Sequence, residues 1–207
     1  MQDRTYTELY DLMKCRFESM GLTYALDALK FAAEKHSGQF RRPVSLEVPY
    51  MIHPLRMAAH AWALRVWDDD ILAAILLHDV CEDCKVALPD FPGNNAIRDL
   101  VTTLTRNKFG VPGGEPLESK WDPPEYYGHI LNDSEACFIK CLDRIDNLRG
   151  AAAAGFSAGK LADYLDETEE WYPALLGMCE LEYGESAWIL EYQMKGLVHT
   201  LWAYINK

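Results

Sequence analysis

The apolar run Ile71-Leu-Ala-Ala-Ile-Leu-Leu77 leads into His78, Asp79, Val80, Cys81, Glu82 and Asp83, so four ionisable residues close a stretch with no polar side chain. Such a run predicts a buried helix, and a buried helix rarely tolerates imidazole and carboxylates without partners or a metal ion. At helical spacing His78 shares a face with Glu82, and Asp79 with Asp83. That turn therefore presents two candidate metal ligands and two candidate acid/base groups. The simpler alternative, a solvated helix end, fits poorly with acidic residues at a C-terminus, where the helix dipole favours cations.

Two further stretches carry similar groups. In Phe138-Ile-Lys-Cys-Leu-Asp-Arg-Ile-Asp-Asn-Leu-Arg149, an apolar stripe of Phe138, Ile139, Leu142, Ile145 and Leu148 leaves Asp143 near its buried edge, with Asn147 one turn on. A carboxylate there needs a cation, either a metal or a neighbour such as Lys140, Arg144 or Arg149. In Pro49-Tyr-Met-Ile-His-Pro-Leu55, His53 precedes a proline suited to the first turn of a helix. Alone, that histidine reads equally as an ordinary cap or core residue. Combined, the stretches supply two imidazoles and two carboxylates, a mixed N/O set that suits Mn²⁺ or Fe²⁺ and accommodates Zn²⁺. A metal held with open positions polarises a phosphoryl oxygen and makes hydroxide available near neutral pH. Glu82 and Asp83 would orient or deprotonate the attacking water and stabilise the departing group.

The elements that must position these groups read as helices throughout. Apolar residues recur at three- and four-residue spacing, strict alternation is scarce, and no sheet of consequence is expected. Helices are predicted over Tyr6–Ser19, Thr23–His36, His53–Trp67, Asp69–Asp83, Asn95–Thr105, Pro123–Leu131, Asp133–Ala153, Lys160–Leu176 and Gly184–Ile205. The two long loops, Gly38–Tyr50 and Asn107–Asp122, are rich in Pro or Gly. A chain of 207 residues with 49% hydrophobic content is expected to form a single domain over residues 1–207. A net charge of −12 argues against a broad nucleic-acid surface. No stretch reads as a membrane span or secretory leader, and a cytoplasmic location is expected. The C-x-x-C pair Cys81 and Cys84 lies in helical context, which argues against a redox motif.

Taken in order, the motifs resemble those of the HD-domain alarmone hydrolases, the hydrolase half of Rel/SpoT-type enzymes and the small stand-alone hydrolases. They are Ala32-x-x-x-His36-x-Gly-Gln39-x-Arg41, Pro49-Tyr-x-x-His-Pro54, Leu77-His-Asp-Val-x-Glu-Asp83 and Lys140-x-x-Asp143-Arg-x-x-Asn147. The resemblance runs from about residue 23 to 172, leaving 173–207 as a helical C-terminal extension. It implies an all-α, compact multi-helix HD-domain bundle and one Mn²⁺ held by His53, His78, Asp79 and Asp143. It also implies Glu82 and Asp83 as the catalytic pair, Arg41 and Arg42 bordering the nucleotide, Asn147 on its ribose or phosphate, and Tyr164 packing on the nucleoside. The implied reaction removes the 3′-pyrophosphate of guanosine tetra- or pentaphosphate. Departures from the family pattern are the loop before His53, Cys84 where Thr is frequent, and Asp146 where His is frequent.

Other readings compete. The same metal chemistry serves other phosphorylated riboses: an adenosine alarmone, the phosphate of NADPH, or a pyrophosphorylated RNA end. A non-catalytic alarmone-binding protein would not need the Glu82/Asp83 pair, and a two-metal phosphodiesterase would need further histidines. His36 reads as structural or as a support behind the site, and His60, His129 and His199 as surface or satisfied core residues. Cys137 and Cys141 read as helix packing, Asp68 to Asp70 as helix-start caps, and Asp166–Glu170 as a solvated face. The aromatic residues after Trp171 read mostly as core. The segment from Trp188 to Trp202 is apolar enough to suggest a homo-oligomer.

Overall fold

Thr5 opens helix α1 (Tyr6–Met20) with a capping box: its side chain accepts from Glu8 N, and the Glu8 carboxylate accepts from Thr5 N. Gly21, at φ 70°, closes the helix in the left-handed conformation that glycine adopts without a Cβ penalty. The computed structural model describes residues 5–41, 47–109 and 116–206. The chain divides into two units, Met1–Phe40 with Val48–Tyr126, and Arg41–Glu47 with Tyr127–Lys207.

The first unit continues with α2 (Thr23–Lys35), α3 (Ile52–Ala63), α4 (Asp69–Leu77), α5 (Val80–Cys84), a short 3-10 turn at Leu88–Asp90, and α6 (Asn95–Leu104). Helix α4 is the predicted buried run. Every residue from Ile71 to Leu77 is buried, and the helix packs against α2, α3 and α6. Burying each Leu or Ile contributes about 1.5–3 kcal/mol, which makes this helix the main apolar anchor of its unit.

The acidic triplet before α4 does three separate jobs where the sequence suggested caps alone. Asp68 accepts from Asp70 N and Ile71 N and caps α4. Asp69 accepts from Tyr24 N at 3.1 Å and Ala25 N at 2.7 Å, supplying α2 with the cap that its own Leu22 cannot. Asp70 accepts from the Asn94 side chain, whose oxygen in turn caps α6.

Two sequence expectations are corrected. The single helix expected over Asp69–Asp83 breaks after Leu77 and resumes at Val80. His78 and Asp79 keep right-handed φ and ψ, so a spacing argument cannot see the lost hydrogen bonds. The loop Asn107–Asp122 contains an antiparallel pair, β1 (Asn107–Phe109) and β2 (Pro116–Lys120), with Asn107 opposite Lys120 and a register irregularity. Strands this short leave no alternation to detect. Apart from this pair and an isolated bridge between Phe40 and Pro49, the regular elements among the described residues are helical, in keeping with an all-α fold.

Helix α7 (Pro123–Ile130) crosses the boundary between the units. The second unit holds α8 (Ser134–Ala151), α9 (Ala158–Tyr183) and α10 (Glu185–Ile205), each packed on the other two. Helix α9 begins earlier and ends later than predicted, continuing through Pro173. Tyr172 is core, whereas Trp188, Tyr192 and Tyr204 are exposed, so the expectation of a mostly buried aromatic set fails for α10. No described helix is long and apolar enough to cross a membrane.

Candidate metal centre and its surroundings

The break between α4 and α5 aims the first group of side chains. His78 sits at the C-terminal end of α4, where its Nδ1 lies 2.8 Å from the Ile75 carbonyl. A carbonyl only accepts, so Nδ1 carries the proton and Nε2 of the neutral ring carries the lone pair. That Nε2 lies 3.0 Å from Asp79 Oδ2, and His53 Nε2, from the first turn of α3, lies 3.6 Å from the same oxygen. The two imidazole rings meet edge to face with centroids 5.2 Å apart, and both histidines are buried. The His78 lone pair and the Asp79 oxygen, two acceptors 3.0 Å apart, repel one another unless a cation sits between them or the ring is protonated. The donor set therefore fits a divalent metal with N and O ligands.

Tyr50 completes this arrangement, and sequence reasoning assigned it no role. Its hydroxyl donates to Asp79 Oδ2 at 2.6 Å, and its ring stacks on His36 with centroids 4.6 Å apart. His36 Nδ1 lies 2.7 Å from Gln39 Oε1, and burial lowers the His36 pKa from its ordinary value. His36 thus steadies the ring whose hydroxyl holds Asp79. The available signal was the position of Tyr50, one helical turn before His53 in a motif bracketed by prolines.

Glu82 and Asp83 project from α5. The Glu82 carboxylate accepts from the Arg106 backbone N–H on one oxygen, and its other oxygen pairs with Lys120 Nζ at 3.7 Å. The β1–β2 hairpin thus holds this side chain from outside. Burial, and next the charge of Asp79, raise the Asp83 carboxyl above the usual carboxylate range. A cleft lined by Glu82, Asp83, Lys85, Asn107 and Lys120 opens beside the pair. Burial pushes the Cys81 thiol up to about 12 and the Cys84 thiol up to about 11. Both are free thiols rather than the low-pKa thiolates of a redox motif.

In the second unit, α8 turns Lys140, Asp143 and Asn147 to one face. Asp143 is buried, its Oδ2 lies 2.7 Å from Lys140 Nζ, and its Oδ1 accepts from the Asn147 side chain. The ion pair with Lys140, one of the alternatives read from sequence, is therefore present. Arg41 Nη2 donates to Asn147 Oδ1 at 2.8 Å and lies 3.9 Å from Asp146 Oδ2. Arg42 lies outside the described residues. Tyr164, expected at the nucleoside, is half-buried with its ring 3.8 Å from the Arg144 guanidinium carbon. Burial pushes its phenol up to about 12. Glu167, read as part of a solvated acidic face, instead pairs with Arg144 at 3.0 Å.

No protein-family model matches the chain. It is 30% identical to guanosine-3′,5′-bis(diphosphate) 3′-pyrophosphohydrolase MESH1 of Xenopus tropicalis over 160 residues, 73% of this chain and 84% of that protein. It is 29% identical over 174 residues to a guanosine-3′,5′-bis(diphosphate) 3′-pyrophosphohydrolase of Aquifex aeolicus, and 31% identical over 131 residues to one of Vibrio cholerae. The matches span 23% and 17% of those bacterial proteins. A solved structure of a metazoan orthologue of SpoT, described as hydrolysing ppGpp, superposes with a TM-score of 0.67 at 22% identity, covering 86% of this chain and 94% of that one.

Proposed function

The chain belongs to the guanosine-3′,5′-bis(diphosphate) 3′-pyrophosphohydrolase family, and from that premise we propose that it hydrolyses ppGpp and pppGpp to GDP or GTP and pyrophosphate. The observation that carries this reading is the convergence of His53 Nε2 and His78 Nε2 on Asp79 Oδ2, at 3.6 and 3.0 Å. In this reading His53, His78 and Asp79, with Asp143 as the fourth ligand that the family resemblance implies, hold one Mn²⁺. Fe²⁺ and Zn²⁺ suit the same donors. Such an ion supplies the Lewis acidity that activates water and polarises the phosphoryl oxygen.

The remaining steps belong to the side chains. Glu82 and Asp83 form the acid/base pair: one takes a proton from the attacking water, and the other donates a proton to the ribose 3′ oxygen as its bond to phosphorus breaks. Tyr50 fixes Asp79 in orientation. Arg41, Arg42 and Asn147 hold the nucleotide, and Tyr164 flanks the nucleoside.

Product analysis of Mn²⁺-loaded protein with ppGpp tests this directly. GDP and pyrophosphate should appear in equal amounts with wild type and be absent with a His78→Ala, Asp79→Ala variant. A Glu82→Gln, Asp83→Asn variant should bind Mn²⁺ and fail to turn over. Wild type that holds Mn²⁺ and leaves ppGpp intact would refute the assigned reaction.

A further inference from the structure

Arg144 takes no part in the chemistry proposed above, yet it is among the most heavily engaged side chains described. It is buried, at 4% exposure. Its Nη1 donates to the Tyr164 carbonyl at 3.2 Å and to Thr168 Oγ1 at 3.3 Å, and its Nη2 donates to Tyr127 Oη and Glu167 Oε2, both at 3.0 Å. The guanidinium lies 3.8 Å from the Tyr164 ring centroid and 4.7 Å from that of Tyr172. Such a set of directed contacts on a buried cation is costly to desolvate and fixes geometry more than it adds stability.

What it fixes is the setting of α8 against α9. The apolar contacts of Phe138, Leu142, Ile145 and Leu148 are non-directional and permit small rotations of α8 about its axis. At a side-chain radius of about 5–6 Å, a rotation of about 10° moves a group by about 1 Å. A misplacement of that size within a catalytic constellation costs about 100-fold in rate. Asp143, the residue before Arg144, and Asn147 one turn on would both be carried by such a rotation, while Tyr164 is held by the same guanidinium from α9.

We propose that Arg144 is a positioning residue that locks the rotation of α8, and so the placement of Asp143 and Asn147, through its fork onto Tyr127, Glu167 and Thr168 and its stacking on Tyr164. The proposal rests on Asp143 serving as a ligand of the metal site. Lysine cannot reproduce either the fork or the stacking, so Arg144→Lys keeps the charge and loses the lock.

The experiment compares wild type, Arg144→Lys, Glu167→Gln and Tyr127→Phe by calorimetric Mn²⁺ titration, steady-state kinetics with ppGpp and thermal melting. The expected result for Arg144→Lys is a folded protein whose Mn²⁺ affinity falls about 10-fold and whose kcat/KM falls about 100-fold. Glu167→Gln and Tyr127→Phe, which each weaken one contact and retain the arginine, should show smaller losses of Mn²⁺ affinity in the same direction. Should Arg144→Lys fail to fold, these two variants decide. Wild-type affinity and turnover in every folded variant, with only the melting temperature lowered, would overturn the proposal. Wild type that binds Mn²⁺ without cleaving ppGpp would refute the reaction and leave the affinity comparison to judge the positioning role.

Discussion

Tyr50 shows how a single hydroxyl can orient a carboxylate proposed to hold a metal. Its 2.6 Å hydrogen bond to Asp79 Oδ2 orients the carboxylate, and its stacking on His36 restrains the ring that carries it. Partners that orient metal ligands are typically worth about 10- to 100-fold in metal affinity. Tyr50→Phe should therefore lower Mn²⁺ affinity by about 10-fold with little change in melting temperature of the metal-free protein, as read by calorimetric titration and melting. At this scale the crowding of imidazole and carboxylate was legible, because His78 and Asp79 interrupt an apolar run where solvation is denied. Tyr50 was not, because a tyrosine beside a histidine is compatible with many core arrangements. Arg144 and Glu167 were illegible for a different reason: their pairing spans 23 positions and two helices.

Between residue and unit lie the caps and breaks. Asp69 accepts two backbone N–H groups of α2, one of them at 2.7 Å, although it belongs to α4. Asp69→Ala should destabilise the protein by about 1–2 kcal/mol, a loss typical of removing a helix cap. Urea unfolding would show this as a lower midpoint at unchanged slope, and an unchanged midpoint would remove Asp69 from the list of structural ties. The apolar periodicity foretold nearly every helix to within a few residues because one face of each is buried. It could not foretell the hairpin of β1 and β2, whose pairing is short and irregular, nor the interruption at His78 and Asp79, where the dihedrals stay helical while the ladder lapses.

Across the molecule, the second unit holds a buried store of protons. Burial holds the Tyr172 phenol and the Cys141 thiol well above their ordinary values, with the neighbouring Cys179 adding to the latter. The folded state keeps these protons where an unfolded chain begins to release them, from the ordinary thiol value of 9.0 and phenol value of 10.0. Stability from this source is therefore fully present below about pH 9 and is lost as pH rises toward the raised folded values. Urea midpoints should fall between pH 8 and pH 10, and Cys141→Ala should make that decline shallower. An equal decline in both proteins would assign the alkaline loss to other groups. Net charge and composition can be read from the sequence alone, but this proton balance depends on which helices enclose which side chains, and composition does not record that.

The interruption between α4 and α5 also divides the molecule in time. Amide protons along the buried Ile71–Leu77 stretch of α4 should exchange with solvent only through large-scale opening, whereas the five-residue α5, joined to it by two residues outside the ladder, has few backbone hydrogen bonds of its own and should exchange sooner. The side chains assigned to proton transfer, Glu82 and Asp83, stand on the segment expected to exchange sooner, and His78 is anchored at the end of the more protected one. Residue-by-residue hydrogen exchange should show a step in protection between Leu77 and Val80, and equal protection on both sides would remove that division.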